Sequence, residues 1–201
     1  MKSPVWLLVG GLLAAVSLPQ TSKGAAVPAP EAAARLVPFS ADHQRLDAIV
    51  GQWRFERTTS IPGRPTERAT GRSVNRWILG GRYLECVADE GEGGDGDRSI
   101  VTYGFDVRRR TYFSLFVGSR GTNYQNLEGF YDEPTHSFVL LGRDAGDGRT
   151  PGPKLREVLH LEGPDLFRVE MFIVVPGQPP HKASEITYTR QPTDPPVTTS
   201  R

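Results

Sequence analysis

The chain has 201 residues, with 24 lysines and arginines against 23 aspartates and glutamates, and a single cysteine. The formal net charge of +1 excludes the strongly basic surface that nucleic-acid binding usually requires. One cysteine excludes a disulfide framework and a zinc site built from several cysteines. A hydrophobic content of 37% is enough for one folded core, and 22 glycines and 17 prolines indicate many turns.

The first 26 residues have the pattern of a secretory signal peptide. Lys2 gives a positive start, and residues 5–18 form an uncharged apolar run. This run is shorter than the ~20 residues that a membrane-spanning helix needs. The small residues 24–26 follow it, which predicts cleavage after Ala26. We therefore expect a periplasmic or secreted protein with no stable membrane insertion after cleavage, and an uncleaved anchor is the alternative.

The remaining chain divides into a linker, one domain and a tail. Residues 27–39 are rich in alanine and proline, which predicts a linker, and residues 191–201 have no core pattern and are predicted to be a disordered tail. The domain is predicted over 40–190. Ser40 is a good N-cap, and the helical spacing of apolar residues after it predicts one short helix over 41–50.

After this helix the hydrophobic period changes to two, which is typical of strands. The segment 166–175 is the clearest case, because its apolar residues alternate with Arg168 and Glu170. The prolines of the domain fall between the predicted strands, as expected when central ladders exclude proline. The predicted strands cover residues 51–60, 66–79, 82–89, 98–105, 111–117, 123–131, 136–143, 154–162, 166–175 and 181–190.

An even number of strands places the first and last antiparallel, so they can pair and remove both edges of the sheet. The sequence therefore predicts an all-β fold, a ten-stranded antiparallel up-and-down barrel with one short N-terminal helix. Alternate connections are longer and lie at one end of such a barrel, where a ligand would enter. These connections are residues 61–65, 90–97, 118–122, 144–153 and 176–180.

Two resemblances support this architecture. Gly51-Gln52-Trp53 resembles the Gly-x-Trp signature of calycin (lipocalin-like) barrels, and Arg190 stands where that superfamily has an arginine that packs over the tryptophan and closes the barrel. The chain also resembles the uncharacterised bacterial domain-of-unknown-function 1579 family. That resemblance implies the fold but no catalytic residue, because the family has no established activity. The matching segments are residues 43–46, 50–53, 78–84, 103–106, 129–132 and 188–190.

A barrel of this size can enclose a cavity, and its strands carry many aromatic residues. We therefore predict that the protein is non-catalytic and binds a small apolar or amphipathic molecule inside, with a filled core as the open alternative. The residues predicted to face this ligand are Trp53, Phe55, Tyr83, Phe116, Val169, Met171 and Ile173.

Three other functions stay open. An enzyme of isomerase or hydrolase type would use an interior carboxylate, Glu85 or Glu157, as a general base. A haem-binding barrel would use His160 or His181 as ligand. A filled structural barrel would bind an envelope protein through its outer face. The sequence itself predicts no catalytic residue, no metal site and no cofactor, and it leaves the oligomeric state open.

Overall fold

A computed structural model describes residues 40–91, 96–144 and 152–192. The predicted signal peptide and linker lie outside the described residues, as does the tail beyond residue 192. None of the helices within the described ranges has the length and the apolar character needed to cross a membrane.

The N-terminal helix is where the sequence predicts it, but it has two parts. An α-helix, α1, spans Ala41–Gln44, and a 3₁₀ helix continues it over Arg45–Ile49. The carbonyl of Ile49 accepts hydrogen bonds from Trp53 Nε1 at 3.0 Å and from Asn75 Nδ2 at 2.7 Å. Side chains of the barrel therefore supply the hydrogen bonds that the last carbonyl of the helix lacks. A 3₁₀ segment is common at such a helix end.

The ten predicted strands are confirmed, and each observed end lies within one residue of its predicted position. Period-two alternation placed them, and glycine and proline marked their limits. The strands are β1 (Gly51–Thr59), β2 (Glu67–Ile78), β3 (Tyr83–Glu90), β4 (Arg98–Asp106), β5 (Thr111–Gly118), β6 (Tyr124–Asp132), β7 (Ser137–Asp144), β8 (Lys154–Gly163), β9 (Leu166–Val174) and β10 (His181–Arg190).

The strands form a closed antiparallel barrel, as predicted. Each strand pairs with its neighbours in sequence, and β1 pairs with β10 to close the sheet. In this closing pair Trp53 lies opposite Arg190 and Thr59 lies opposite Ser184. Since side chains alternate along every strand, closure divides them into an inner and an outer set.

The helices lie against one end of the barrel, which we call the closed end. Tyr112 Oη donates a hydrogen bond of 2.9 Å to the carbonyl of Asp42 in α1. Large side chains fill the interior here, and the Trp53 and Phe167 rings meet edge to face at 4.6 Å. The fully buried hydrophobic residues are Leu46, Ile49, Trp53, Leu84, Leu127, Phe138, Leu140 and Leu159.

Arg190 ties three parts of the closed end together. Its guanidinium carbon lies 4.1 Å from the centre of the Trp53 ring, in cation–π geometry. Its three nitrogens donate to the carbonyls of Pro164 at 2.7 Å, Val50 at 2.7 Å and Ala48 at 3.0 Å. The last strand is therefore fastened to the first strand, to the helix end and to the turn between β8 and β9.

We expect Arg190→Leu to lower the free energy of unfolding by about 2–4 kcal/mol, because it leaves carbonyl groups without their charged donor. Urea unfolding measures this loss. Arg98→Leu is the control: Arg98 is 64% exposed, and its ion pair with Asp89 is long, at 3.4 Å. It should cost less than about 1 kcal/mol. Equal losses for the two variants would contradict the role assigned to Arg190.

Candidate functional site

The half of the barrel away from the helices is hollow. It contains a cavity of about 280 Å³, which opens towards the ends of β1 and β3 at Thr59 and Glu90. An engineered cavity of about 150 Å³ is known to hold benzene, so this one has room for a body of roughly two fused rings. The cavity exists because several inward residues are small. These are Ala88, Ser99, Ser114 and Ser184.

Much of the cavity wall is apolar. Four of the residues predicted to face a ligand line it, and each comes from the inner set of its strand: Phe55, Phe116, Val169 and Met171. They are joined by Val101, Leu127 and Ile186. This wall excludes water from an apolar ligand, and burying the ligand's surface supplies the main driving force for binding.

Two other predicted residues are inside the barrel without lining the cavity. Trp53 is buried at the closed end, where it packs against Phe167 and Arg190. Ile173 is half-buried and packs against the hydrophobic core. In this structure both contribute to packing and not to the cavity wall.

The interior position expected for Tyr83 needs correction. Tyr83 is on the outer face of β3, 36% exposed, with its ring 6.1 Å from that of Phe113. The inner set of β3 is Leu84, Cys86 and Ala88, one residue out of phase with the expectation. Because successive side chains alternate, this shift of one residue moves Tyr83 to the opposite face.

A buried carboxylate lies in the cavity wall. Glu157, on β8, is 6% exposed, and Tyr103 Oη donates a hydrogen bond of 3.0 Å to its Oε1. The Ser114 hydroxyl also favours the ionised form of this carboxylate. Burial raises the pKa of Glu157 to about 7, although the two hydroxyl donors oppose the rise. Glu157 therefore changes charge in the physiological range.

The cavity lining has more negative than positive side chains. Arg57 forms an ion pair with Glu90 at the mouth, and Arg120 approaches Glu90 at 3.6 Å from the same end. Arg57, Glu90 and Glu157 are the described charged residues that line the cavity. Within the described ranges, no lysine, arginine or histidine lies within ion-pair distance of Glu157. The cavity thus contains one carboxylate whose charge is not balanced by a basic side chain.

The other candidate base, Glu85, is not in the cavity. It is on the outer face of β3, where its Oε1 accepts a hydrogen bond of 3.0 Å from Arg76 Nη2. Of the two carboxylates considered for general-base chemistry, the structure brings only Glu157 into the interior.

Neither candidate haem ligand lines the cavity. His160 Nδ1 lies 2.9 Å from Ser137 Oγ and its Nε2 lies 3.0 Å from Glu170 Oε2, while His181 Nε2 lies 2.8 Å from the carbonyl of Ser60. The serine, histidine and glutamate resemble a hydrolase triad in composition. However, Ser137 is 1% exposed and donates to the Thr135 carbonyl, so no substrate reaches it.

In the part of the chain that the structure describes, no group of three or more histidine, cysteine, aspartate or glutamate residues is placed to hold a metal. The single cysteine, Cys86, is buried on the inner face of β3, and burial raises the pKa of its thiol. A thiol in that environment stays protonated and is a poor nucleophile.

The barrel fold agrees with the comparisons with known proteins. A family described as "Protein of unknown function (DUF1579)" matches residues 39–190. The chain belongs to this family. The match spans the whole barrel, so the resemblance seen in its short motifs is confirmed. A comparison with the curated proteins finds no match.

Several solved structures share the barrel, including the following two. The crystal structure of Rv2717c from M. tuberculosis is 15% identical, with a TM-score of 0.57, and the alignment covers 77% of this chain and 100% of that one. The S-type phycobiliprotein lyase CPES from Guillardia theta is 13% identical, with a TM-score of 0.50, and the alignment covers 77% of this chain and 95% of that one. At these identities the similarity shows the fold alone.

We expect the contribution of Glu157 to the stability of the protein to fall as pH rises from about 4.5 to about 7, because the folded state holds a proton on Glu157 that the unfolded state releases earlier. The loss is about 3 kcal/mol, since each unit of pKa difference is worth about 1.4 kcal/mol. Urea unfolding at pH 5 and pH 8 measures it. Glu157→Gln should lack this component, whereas Glu85→Gln should behave like the wild type. If Glu157→Gln and the wild type lost equal stability, the environment assigned to Glu157 would be wrong.

Proposed function

We propose that this protein is an exported, non-catalytic β-barrel that binds a small apolar or amphipathic molecule in its cavity. The observation that carries the proposal is the cavity of about 280 Å³, with an apolar wall and one buried carboxylate. Ligand sites in proteins have this composition: they are mostly apolar, with a few polar groups that fix the orientation of the ligand. The similarity of the fold to a phycobiliprotein lyase is compatible with small-molecule binding.

An amphipathic ligand fits the arrangement better than a purely apolar one. Glu157 on β8 meets Tyr103 on β4 inside the barrel, with Ser114 on β5 next to Tyr103. Apolar residues lie beside this polar group, since Met171 on β9 is the cross-strand partner of Glu157 and Val169 is on the same face. A hydrocarbon would leave the remaining acceptor positions of the Glu157 carboxylate without water or a ligand donor, which costs free energy. A ligand with one polar group would satisfy them and still bury its apolar body.

A second candidate function is proton transfer by Glu157. A buried carboxylate with a pKa of about 7 beside the Tyr103 hydroxyl has the properties of a general base. Such a base would exchange the α-hydrogens of an enolisable aryl ketone in deuterium oxide, which NMR detects. We expect no exchange above the rate of the Glu157→Gln variant. Faster exchange by the wild type would favour the enzyme.

Export is proposed from the N-terminal sequence. A positive start, an apolar run too short to span a bilayer and small residues at 24–26 support cleavage after Ala26. Mass spectrometry of the protein from the periplasm of a bacterial host should find a chain that begins at Val27. A full-length chain retained in the cytoplasm would contradict the proposal.

We expect the wild-type protein to bind the neutral probe 1-naphthalenemethanol, and Val101→Phe to weaken binding at least ~10-fold, equivalent to about 1.4 kcal/mol. Val101 lines the cavity, so a larger side chain there occupies the ligand's space. Val117→Phe is the matched control, because Val117 is 42% exposed on the outer face. Probe fluorescence measures binding, and circular dichroism checks folding. Absence of binding to the wild type, or equal binding by a folded Val101→Phe variant, would overturn the proposal.

A further inference from the structure

We propose that the cavity selects ligands with a positively charged nitrogen, an alkylammonium group on an apolar body, and that Glu157 is the residue that binds this charge. The inference rests on the proposed binding function and deepens it by naming the class of ligand. It follows from the position of one carboxylate relative to the hydroxyls, the charges and the apolar surface around it.

Hydroxyl groups stabilise the ionised form of Glu157. Tyr103 Oη donates a hydrogen bond of 3.0 Å to its carboxylate, and the Ser114 hydroxyl also lowers its pKa. Donors of this kind favour the ionised form of a carboxylate. An ionised carboxylate has about four acceptor positions, so two donors leave positions free for a third group. Because Glu157 lines the cavity, that third group can come from a ligand.

No positive charge lies among the described titratable groups that face the Glu157 carboxylate. These groups come from strands that are not paired with β8, and they are Cys86 on β3, Tyr103 on β4 and Tyr188 on β10. Burial raises the pKa of each of these groups, so all three are neutral at pH 7. None of them supplies the positive charge that would balance an ionised Glu157.

The charges at the mouth of the cavity are paired. The basic residue of the lining is Arg57, and it forms an ion pair with Glu90. The described lining therefore has two carboxylates and one guanidinium, and the pair at the mouth leaves Glu157 as the net charge of the cavity. An ammonium group complements that charge and donates the charge-assisted hydrogen bond that a free acceptor position can take. A carboxylate ligand would meet a like charge.

Binding of a positively charged ligand changes the protonation of Glu157. Like a lysine side chain, an alkylammonium group is protonated at both pH 6 and pH 7.5. At pH 6 Glu157 is mostly protonated, because its pKa is about 7. Binding of a cation favours the ionised carboxylate and must expel this proton. The release, up to about one proton per ligand, is a signature that a neutral ligand does not produce.

The test compares three ligands with the same ring system: 1-naphthylmethylamine, 1-naphthalenemethanol and 1-naphthoic acid. Calorimetric titration of the full-length protein at pH 7.5 should show the amine binding at least ~10-fold more tightly than the alcohol, and the acid most weakly. Glu157→Gln should reduce the amine to the level of the alcohol and leave the alcohol within ~3-fold of its wild-type affinity. Glu85→Gln removes the same charge from the outer face and should change nothing.

The outcomes separate this inference from the function on which it rests. If none of the three ligands binds, the proposed function fails. If the alcohol binds the wild type as tightly as the amine, the cation preference is wrong while ligand binding stands. If Glu157→Gln keeps the preference, Glu157 is not the residue responsible. A measurement on the wild type alone guards against a variant that does not fold: titration of the amine at pH 6, in buffers of different ionisation enthalpy, should show proton release, and its absence would overturn the inference.

Discussion

Pairing of the first strand with the last is the constraint on which the rest of the structure depends. Once β1 and β10 pair, the barrel has no free edge, and each strand has one fixed inner and one fixed outer set of side chains. Arg190 is placed to hold this closure, because it contacts the Trp53 ring and backbone carbonyls of the helix end and of a turn. With one cysteine in the chain, no internal disulfide can do the same work.

The hollow half of the barrel follows from a change in side-chain size along the strands. Large residues fill the closed end, whereas small residues such as Ala88, Ser99 and Ser114 line the cavity in the other half. The same cavity buries Glu157 without a basic partner, which is unfavourable for folding at neutral pH. Proteins retain such local conflicts mainly at functional sites, so the conflict itself supports a role for this residue in binding.

The alternation of the sequence was enough to predict the strands and their closure, but it did not decide every face. In β8, Glu157 is in phase with the buried Leu155 and Leu159, and it is the inward one of the two carboxylates that the sequence left open as a general base. In β3, both alternating sets contain apolar residues, and the position of Tyr83 was therefore wrong. The size of the cavity and the contact of Tyr103 with Glu157 could not be predicted from the sequence, because they depend on side chains from strands far apart in sequence.

The central claim is that the interior of this barrel is a ligand site organised around Glu157. A crystal structure of the protein grown with 1-naphthylmethylamine tests it most directly. The account predicts the ring inside the cavity against the apolar wall and the nitrogen within about 3 Å of the Glu157 carboxylate. Electron density for the amine on the outer surface alone, with the cavity unchanged around Glu157, would contradict it.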